Sequence, residues 1–548
     1  MWLLRLKIAL IIFAVSGASV VARLFYWQIV AAENLSALAE SQHLSRIEIP
    51  AQRGRIITSD GFTLVGNEPA FLAYAYLPDL DRRPDEIASL LAPLVRPETD
   101  ATASAKMVEE LTELTEATLS SRLSRQDVIW VPLARKILDA VKTRVLDLKL
   151  KGLGFEPENI RFYPEASLSA SLIGFVGDDV SGNPKGYFGL EGYYDLELKG
   201  RPGIVRQEKD ATGKPILVGN FGGFAAKNGR DLKLYLDRAV QRLVEIELEE
   251  ALTRYGAKSG EVIIMDPKSG GIIAQANLPK YDPQKFSQFD SSLYRNPSIA
   301  AAYEPGSTFK VLIMSAALDS GVVKPTTRCD MCGGPVTIGK YTIRTWNNEY
   351  FENPTMIEVI QRSNNIGMVF VGQKLGEEKL VDYLKKFGIG SPTGVDLQEE
   401  SVPELRERWG DIDIATTSFG QGIAITALQM LRAVSAIANY GVLMEPHVVS
   451  EILGDTTVKI SPKEVNRVIS QKTAEDITAM MVNAVDSGEA QWTKLPGYKV
   501  AGKTGTAQIP VAGHYDEDKT IASFVGFAPA DDPKFAMLVK LEAPTSSP

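Results

Sequence analysis

The first thirty residues form the most apolar stretch of the chain. Two basic residues within the first seven positions precede an uncharged run from Ile8 to Ala22, and the apolar segment LFYWQIV follows Arg23. About 20 mostly apolar residues are enough to cross ~30 Å of hydrocarbon, and the basic residues place the start of the run in the cytoplasm. We expect an uncleaved membrane anchor at 1–31, with the remainder of the chain outside the cytoplasm. A cleavable signal peptide is the alternative.

Residues 45–230 alternate apolar and polar positions in short segments that glycine and Asp-Gly interrupt. Such alternation predicts short strands and hairpins. Within this span, 98–124 carries apolar residues at spacings of three and four and no aromatic residue, which predicts one or two exposed amphipathic helices. Glycine becomes frequent again from Gly152 to Gly229, where we expect more short strands. We interpret 45–230 as an irregular, mostly extended domain without a chemical motif of its own.

The pattern changes at Leu234. The segment LYLDRAVQRLVEIELEEALTRYG predicts a long helix with an aspartate near its start and a glycine at its end. EVIIMDPKSGGIIAQANLP then predicts a hairpin, and YKVAGKTGTAQI and TIASFVGFAPADDPKFAMLVKLEAP predict later strands. Helix, hairpin, several helices and late strands indicate an antiparallel sheet covered by helices, which we place at 232–548. The fold class expected is therefore α+β, with one N-terminal membrane helix and a strand-rich middle domain.

Composition and charge exclude several functions. The 548 residues suggest about three domains, and 45% hydrophobic and 23% charged residues are typical of packed globular proteins. A net charge of −9 argues against a nucleic-acid partner, which usually requires a basic face. The sequence carries no phosphate-binding loop, dinucleotide fingerprint, HExxH motif or repeat of fixed period.

The two cysteines, Cys329 and Cys332, form a Cys-x-x-Cys segment. In an exported domain they can pair with each other, or they can remain two free thiols in a loop. A zinc site needs four ligands, and there is neither a second pair nor a histidine nearby. A redox centre is the functional alternative.

Residues 303–310 read YEPGSTFK and place Ser307 three residues before Lys310. A serine hydroxyl is a weak nucleophile unless a base takes its proton, and the usual base, histidine, occurs three times in the chain. STFKVLIMSAALDSG predicts one apolar helix from Ser307 to Gly321, so that Lys310 lies one turn further on the same face. Burial there favours the neutral amine, which is a competent base. The motif alone is a weak signal, because such a spacing arises by chance in any long chain.

Ser363-Asn364-Asn365 lies between two apolar periodic runs and predicts a tight connection between two helices. Its serine hydroxyl can relay a proton between an amine and a leaving group. An asparagine amide can both donate to and accept from a peptide-like substrate. Alone, the segment is adequately explained as a turn.

Lys503-Thr504-Gly505-Thr506 lies in a predicted strand. Gly505 permits another backbone to approach closely. Lys503 supplies a fixed positive charge and the threonines supply hydroxyl donors, a combination that suits the carboxylate end of a peptide. As a solvated edge strand, the segment would need no functional explanation.

Together, and in this order, the three segments resemble a known signature. Ser-x-x-Lys, a serine-containing triplet and Lys-Thr-Gly mark serine β-lactamases and penicillin-binding proteins. EPGSTFK, RSNN and AGKTGTAQ match beyond these minimal motifs, and the sequence is similar to a class B penicillin-binding protein of the cell-division transpeptidase type. RGRII at 53–57, RFYP at 161–164 and GLEGYYDLELKGRPG at 189–203 resemble the pedestal domain of that family. The resemblance thus covers nearly the whole chain.

The sequence departs from the family in two places. Thr58-Ser59 stands where relatives often have an Asp-Arg pair, so we expect a structural salt bridge of the pedestal to be absent. The sequence given ends soon after the last predicted strand, where relatives usually add a closing helix. We expect that this helix is missing or that the sequence is truncated, which affects stability more than mechanism.

The resemblance implies an acyl-transfer cycle that needs no metal or organic cofactor. Ser307, deprotonated by Lys310, attacks the penultimate D-Ala carbonyl of a D-Ala-D-Ala stem peptide. The N–H groups of Ser307 and Thr506 form the oxyanion hole. An amine from a neighbouring stem peptide then takes the acyl group and forms the cross-link. β-Lactams resemble the same donor and are expected to acylate Ser307.

The remaining motif residues take supporting roles in this implied cycle. Ser363 passes a proton to the departing D-Ala, with Lys503 tuning that step, and Asn365 orients the donor amide. Thr504, Gly505 and Thr506 are expected to bind substrate.

Several alternatives share these residues: an elongation-type transpeptidase, a D,D-carboxypeptidase, a β-lactamase or β-lactam sensor, and a non-catalytic division scaffold. No glycan-polymerising domain is visible in 45–230. By family analogy, a membrane glycan polymerase and division proteins are therefore expected as partners, contacted through the anchor and the pedestal.

Overall fold

The computed structural model describes residues 1–36, 44–97, 104–165, 167–208, 222–511 and 514–546. The chain forms two compact units, one of Met1–Gln52 with Gly200–Asn228 and one of Arg53–Lys199 with Gly229–Pro548. The first six residues of the predicted helical segment 98–124, and 209–221 of the predicted glycine-rich strands, lie outside the described residues.

The α-helices are numbered in chain order. They are α1 (Trp2–Phe25), α2 (Pro84–Val95), α3 (Ala105–Leu123), α4 (Asp139–Asp147), α5 (Ala170–Ile173), α6 (Gly189–Tyr193), α7 (Asp195–Leu198), α8 (Arg238–Tyr255), α9 (Pro297–Ala300), α10 (Lys310–Asp319), α11 (Met356–Gln361), α12 (Asn365–Lys386), α13 (Asp411–Ser418), α14 (Ala427–Ala438) and α15 (Gln471–Ser487).

The strands are numbered in the same way. They are β1 (Leu44–Ile49), β2 (Ile56–Ile57), β3 (Thr63–Tyr76), β4 (Trp130–Leu138), β5 (Leu153–Phe162), β6 (Phe175–Asp178), β7 (Pro184–Tyr187), β8 (Gly203–Glu208), β9 (Gly222–Phe224), β10 (Asp231–Leu234), β11 (Ser259–Met265), β12 (Ile272–Leu278), β13 (Ala302–Tyr303), β14 (Val336–Ile338), β15 (Tyr341–Ile343), β16 (Ile425–Thr426), β17 (Val442–Met444), β18 (Val449–Leu453), β19 (Val458–Lys459), β20 (Glu464–Arg467), β21 (Ala501–Val511), β22 (His514–Ala528) and β23 (Phe535–Glu542).

The first unit contains the N-terminal helix and a small sheet. Helix α1 continues into a short π-helix, Tyr26–Val30, and the whole of Trp2–Val30 is long and apolar enough to cross a membrane. The guanidinium of Arg23 lies 4.9 Å from the ring centre of Trp27, a cation–π contact of the kind found where an apolar helix meets the polar interface. Strands β1, β8 and β9 form an antiparallel sheet in that order. One N-terminal apolar helix fits a single-pass membrane anchor.

In the second unit, residues 53–199 build a long antiparallel ladder with helices packed on it. Strand β3 pairs with both β4 and β5, and α2, α3 and α4 share a core with these strands. Helix α3 begins at the Ser104 cap, whose side chain accepts from the Met107 N–H at 3.2 Å, a standard helix start. The sequence pattern did not predict α2 and α4, so this part of the chain is less extended than expected.

Three segments that carry the family resemblance meet in a buried ionic network. Glu191, which is fully buried, accepts from Arg53 Nε at 2.7 Å and from Arg161 Nε at 2.8 Å. Arg53 also donates to Asp195 at 2.7 Å. Buried charges are tolerated when each has a hydrogen-bonded partner. The network therefore ties β5 and the segment before β2 to α6 and α7.

The larger part of the second unit is built on a five-stranded antiparallel sheet, in the order β12-β11-β23-β22-β21. Val262 and Ile264 of β11 pack against α8 on one face. Ile263 and Met265 point to the other face and join the central core, which includes the wholly buried helix α14. Successive residues of a strand face opposite sides of the sheet. Helix α8 therefore covers one face and the core with α14 the other, as the sequence predicted.

The predicted long helix and hairpin are both present. Helix α8 starts at Asp237, whose side chain accepts from the Val240 N–H at 3.0 Å, and ends at Gly256 in the left-handed region. Strands β11 and β12 form the hairpin. These elements were predictable because their periodicity and their caps agree.

Candidate active site

Ser307 lies in a 3-10 turn, Gly306–Phe309, that leads directly into α10. The sequence predicted one α-helix beginning at Ser307, but the first α-helical residue is Lys310. Such tighter turns are frequent at helix starts. Gly306 has a φ of +56°, a conformation that glycine adopts without strain, and its N–H donates to Gly420 O at 3.0 Å. The Ser307 side chain is half-buried, and its hydroxyl has no hydrogen-bond partner within the described ranges.

Lys310 joins the first motif to the second. Its side chain is fully buried. Its amine donates to Ser363 O at 2.6 Å, to Ser363 Oγ at 3.1 Å and to Asn365 Oδ1 at 2.7 Å. The ammonium or amine of Lys310 is thus held against the predicted proton relay, rather than hydrogen-bonded to Ser307.

The Ser363-Asn364-Asn365 segment connects α11 to α12, as predicted. Ser363 has a φ of +52°, and Asn364 caps α12 by accepting from the Gly367 N–H at 3.0 Å. The amide of Asn365 donates to Arg344 O at 3.0 Å while its oxygen accepts from the lysine. Hydrogen bonds therefore fix both the nitrogen and the oxygen of the Asn365 amide.

The third motif lies on β21, which is an edge strand of the five-stranded sheet. Lys503 is buried, and its amine donates to Thr504 O at 3.1 Å. A Cβ at Gly505 would lie 3.1 Å from Pro305 O and 2.9 Å from the Thr308 methyl, so only glycine lets the strand approach the serine turn this closely.

Thr504 and Thr506 lie two residues apart on β21, so their side chains are on the same face of the strand. The side chain of Thr504 is half-buried, whereas Thr506 is exposed. The structure thus brings the serine turn, the Ser-Asn-Asn connection and the Lys-Thr-Gly strand to one place.

Lys310 and Lys503 are both buried, and their surroundings shift the pKa of each. Burial lowers the pKa of Lys310 well below its usual range, the positive charge of Lys503 lowers it further, and Glu489 opposes the shift. Burial also lowers the pKa of Lys503 to about 8, and Glu489 again opposes the change. At neutral pH, Lys310 is therefore suited to accept a proton and Lys503 to keep its charge. The sequence suggested a fixed charge for Lys503, whereas burial lowers its pKa to about 8.

Two residues that the sequence analysis missed border this site. Glu489 Oε2 lies 3.9 Å from Lys503 Nζ, and the indole N–H of Trp346 donates to Glu489. Neither residue belongs to a motif. Only the fold brings Glu489 beside Lys503 and Trp346 beside Glu489, so the sequence offered no signal.

The cysteine pair lies elsewhere in the core. Cys329 and Cys332 are buried and joined by a disulfide with an S–S distance of 2.04 Å. The structure therefore shows the disulfide rather than two free thiols. Across the part of the chain that the structure describes, no group of three or more His, Cys, Asp or Glu residues could hold a metal ion.

Comparison with known families identifies the family to which this fold belongs. Residues 260–547 match the family described as Penicillin binding protein transpeptidase domain, and residues 48–234 match the Penicillin-binding Protein dimerisation domain. The chain belongs to the penicillin-binding protein transpeptidases. The combination of the two domains confirms the prediction of a class B penicillin-binding protein, and a transpeptidase domain of this kind acts on peptidoglycan and binds β-lactams.

This penicillin-binding protein is similar to named proteins along most of its length. It is 34% identical over 529 residues to Stage V sporulation protein D of Bacillus subtilis, covering 95% of this chain and 79% of that protein. It is 29% identical over 549 residues to the Probable peptidoglycan D,D-transpeptidase PenA of Neisseria gonorrhoeae, covering 99% and 88%.

A solved structure supports the fold. Penicillin Binding Protein 2X from Streptococcus thermophilus superimposes with a TM-score of 0.73 at 23% identity, covering 92% of this chain and 78% of that one. This likeness shows the fold alone, and it confirms the predicted α+β class. The individual site residues and the domain boundaries stay predictions.

The pKa of Lys503 leads to a pH prediction for this penicillin-binding protein. The rate of acylation by benzylpenicillin should fall as pH rises through about 8, because Lys503 then loses the charge that attracts the β-lactam carboxylate. In Lys503→Arg the guanidinium keeps its charge, so the fall near pH 8 should disappear, even if the overall rate is lower. Acylation rates measured from pH 6 to about 10 test this. An identical alkaline fall in both proteins would assign it to another group.

Proposed function

We propose that this protein is a peptidoglycan D,D-transpeptidase that cross-links stem peptides through an acyl-enzyme on Ser307. The observation that carries this proposal is the set of hydrogen bonds from Lys310 to Ser363 and Asn365. With Lys503 on the adjacent strand, it supplies a nucleophile, a buried base, a proton relay and a cation within one site.

Acylation replaces the peptide C–N bond by an ester bond to Ser307, and one proton passes in net from Ser307 to the leaving amine. Lys310 Nζ takes the proton as Ser307 Oγ attacks the penultimate D-Ala carbonyl. The tetrahedral oxyanion is held by the N–H groups of Ser307 and Thr506. The peptide C–N bond then breaks as Ser363 passes a proton to the departing D-Ala amine and takes one from protonated Lys310, which returns to its neutral form. An ester on Ser307 remains.

The free edge of β21 suits a peptide donor. An edge strand has unpaired backbone groups that can take up an extended peptide as an added strand. Lys503, Thr504 and Thr506 would then bind its terminal carboxylate, while Gly505 keeps β21 close to the serine turn. Asn365 would orient the donor amide.

Septal cell-wall synthesis is the role that we propose for this activity. The motif contexts EPGSTFK, RSNN and AGKTGTAQ resemble the cell-division type. The similarity to Stage V sporulation protein D favours a role in sporulation as the second candidate. Depletion separates the two: a block in septation of growing cells supports the first role, and a defect confined to sporulation supports the second.

We also propose the topology and partners that the sequence suggested. Residues 1–31 anchor the chain with the pedestal at 45–230 and the transpeptidase domain at 232–548 outside the cytoplasm. A membrane glycan polymerase and division proteins would contact the anchor and pedestal. Replacement of residues 8–30 by an unrelated membrane helix should abolish co-purification with such a polymerase. Undiminished co-purification would contradict this assignment.

A cross-linking assay tests the proposed activity. The full-length protein in detergent is given a synthetic stem peptide ending in D-Ala-D-Ala and a stem peptide with a free side-chain amine, and products are identified by mass spectrometry. We expect the cross-linked amide together with released D-Ala, and neither product from Ser307→Ala. Released D-Ala without any cross-link would instead identify a D,D-carboxypeptidase.

A further inference from the structure

A second concave site lies beside the Ser363-Asn364-Asn365 connection. It is a cavity of about 270 Å³, with walls from 345–351 and 487–491 and a floor that includes Arg362 and Asn364. Asn364 lies between the two residues that Lys310 contacts. The cavity therefore adjoins the active site but contains none of the predicted motif side chains that act on the donor.

Glu489 links this cavity to the active site. It lines the cavity, accepts a hydrogen bond from the indole of Trp346, and lies 3.9 Å from Lys503 Nζ. Trp346 is 68% exposed, so its ring is accessible to a molecule in the cavity. Glu489 thus lies between the cavity and Lys503 of the active site, and the accessible ring of Trp346 holds its carboxylate.

The opposite part of the cavity carries a cation and a second carboxylate. The guanidinium of Arg362 lies 3.9 Å from the ring centre of Phe351, which orients it in the cavity floor. Its Nη2 is 3.9 Å from Glu358, too long for a bidentate pair, so donors remain for another carboxylate. Glu349 lines the same cavity, and its carboxylate has no ion pair within the described ranges.

Two carboxylates, one guanidinium and two aromatic rings complement a zwitterion on an aliphatic chain. Carboxylates bind an ammonium and guanidinium binds a carboxylate through charge-assisted hydrogen bonds. Aromatic faces accommodate both the methylene groups and the ammonium. A lone ammonium or a water molecule would leave the guanidinium unused.

We propose that this cavity is the acceptor subsite, which binds an amine that carries a carboxylate on the same carbon. Arg362 receives the carboxylate, Glu349 and Glu489 attract the ammonium, and Trp346 and Phe351 enclose the chain. This inference rests on the proposed transpeptidase activity and specifies the class of acceptor that the enzyme prefers.

The transfer step balances with water as the acceptor of one proton. The bound ammonium first loses one proton to water, and the resulting amine gives a second proton to neutral Lys310 as it attacks the ester carbonyl of acyl-Ser307. A C–N bond forms and the bond from the carbonyl carbon to Ser307 Oγ breaks. The departing oxygen takes a proton back, so Ser307 and Lys310 are restored and an amide is released.

Partitioning of an acyl-enzyme tests the subsite separately from its formation. Full-length protein in detergent is given a D-alanyl thioester with either D-alanine or D-alaninamide, which differ only in the acceptor carboxylate. Aminolysis and hydrolysis compete for the same acyl-enzyme. Their ratio is therefore independent of the acylation rate and reports on the acceptor alone. We expect a ratio about tenfold higher for D-alanine, the effect of one charge-assisted pair.

Two variants and a matched control complete the test. Arg362→Gln should lower the D-alanine ratio about tenfold and leave the D-alaninamide ratio in place, whereas Glu349→Gln, at an exposed position, should lower both. Arg408→Gln removes an exposed guanidinium that does not line the cavity and should match the wild type.

The possible results separate the two proposals. Unchanged ratios in Arg362→Gln and Glu349→Gln, or an equal loss for both acceptors in Arg362→Gln, would overturn the subsite while the thioester is still consumed. No thioester consumption by the wild type would instead overturn the proposed activity, and the acceptor assignment with it.

Discussion

Replacement of Lys310 by methionine should lower the rate of acylation by benzylpenicillin about 10³-fold, the usual contribution of a positioned general base. Methionine fills the same buried space but cannot accept a proton. It also removes the hydrogen bonds that hold Ser363 and Asn365. The rate is followed by intact-protein mass spectrometry of samples quenched at increasing times.

Lys310→Arg separates the role of base from that of a hydrogen-bond donor. Arginine keeps donors for Ser363 and Asn365 but stays charged at every relevant pH, so it cannot act as a base. We expect it to be as slow as Lys310→Met. A rate within tenfold of the wild type in Lys310→Arg, with thermal unfolding unchanged, would show that Lys310 only positions its neighbours. Such a rate in Lys310→Met would exclude both roles.

Replacement of Lys540 by methionine should lower the free energy of unfolding by about 3–5 kcal/mol, because it leaves a buried carboxylate without its partner. Lys540 forms an ion pair with Glu261 on the neighbouring strand, and both side chains are buried. Glu261 also accepts from Ser298 Oγ at 2.5 Å. Urea unfolding of the full-length protein, followed by tryptophan fluorescence, measures the loss.

The double variant Lys540→Met with Glu261→Gln supplies the control. It removes both charges and keeps an acceptor for Ser298, so we expect it to recover most of the lost stability. A double variant as unstable as Lys540→Met would mean that packing of the lysine chain, rather than its charge, supports the sheet.

The same pair lies in register with the active-site strand. Glu261 pairs with Lys540, Lys540 with Ser523, and Ser523 with Gly505 across four strands. A change in the sheet at Lys540 would therefore also move the Lys-Thr-Gly strand. We expect Lys540→Met to be acylated more slowly than the wild type.

Local patterns explain which elements the sequence predicted. Helix α8 and the β11–β12 hairpin have strong periodicity and matching caps or turns, so local and tertiary preferences agree. The connection at Ser363–Asn365 was also predictable, because apolar periodic runs flank three polar residues. Each of the three motifs alone was a weak signal, but their order and their longer sequence contexts carried the family resemblance that the comparisons confirm.

Other features depend on contacts that no local pattern encodes. The network of Arg53, Arg161 and Glu191 joins residues up to 138 positions apart, and the bond from Trp346 to Glu489 spans 143. The three network residues lie in segments that carry the family resemblance, but no local pattern shows that they pair with one another.

The charge state of Lys503 could not be predicted for a related reason. Its depressed pKa results from burial at the junction of several elements. The sequence correctly suggested burial for Lys310, which begins an apolar helix, but a lysine in an alternating strand gave no such indication.

The measurement that tests the central claim most directly is the mass of the full-length protein after reaction with benzylpenicillin, alongside Ser307→Ala. The account predicts a long-lived adduct of one penicillin, located on Ser307 by peptide mapping and absent from the variant. An adduct that persists in Ser307→Ala would contradict the assignment of the nucleophile. Rapid consumption of penicillin without a lasting adduct would contradict a transpeptidase and indicate a β-lactamase.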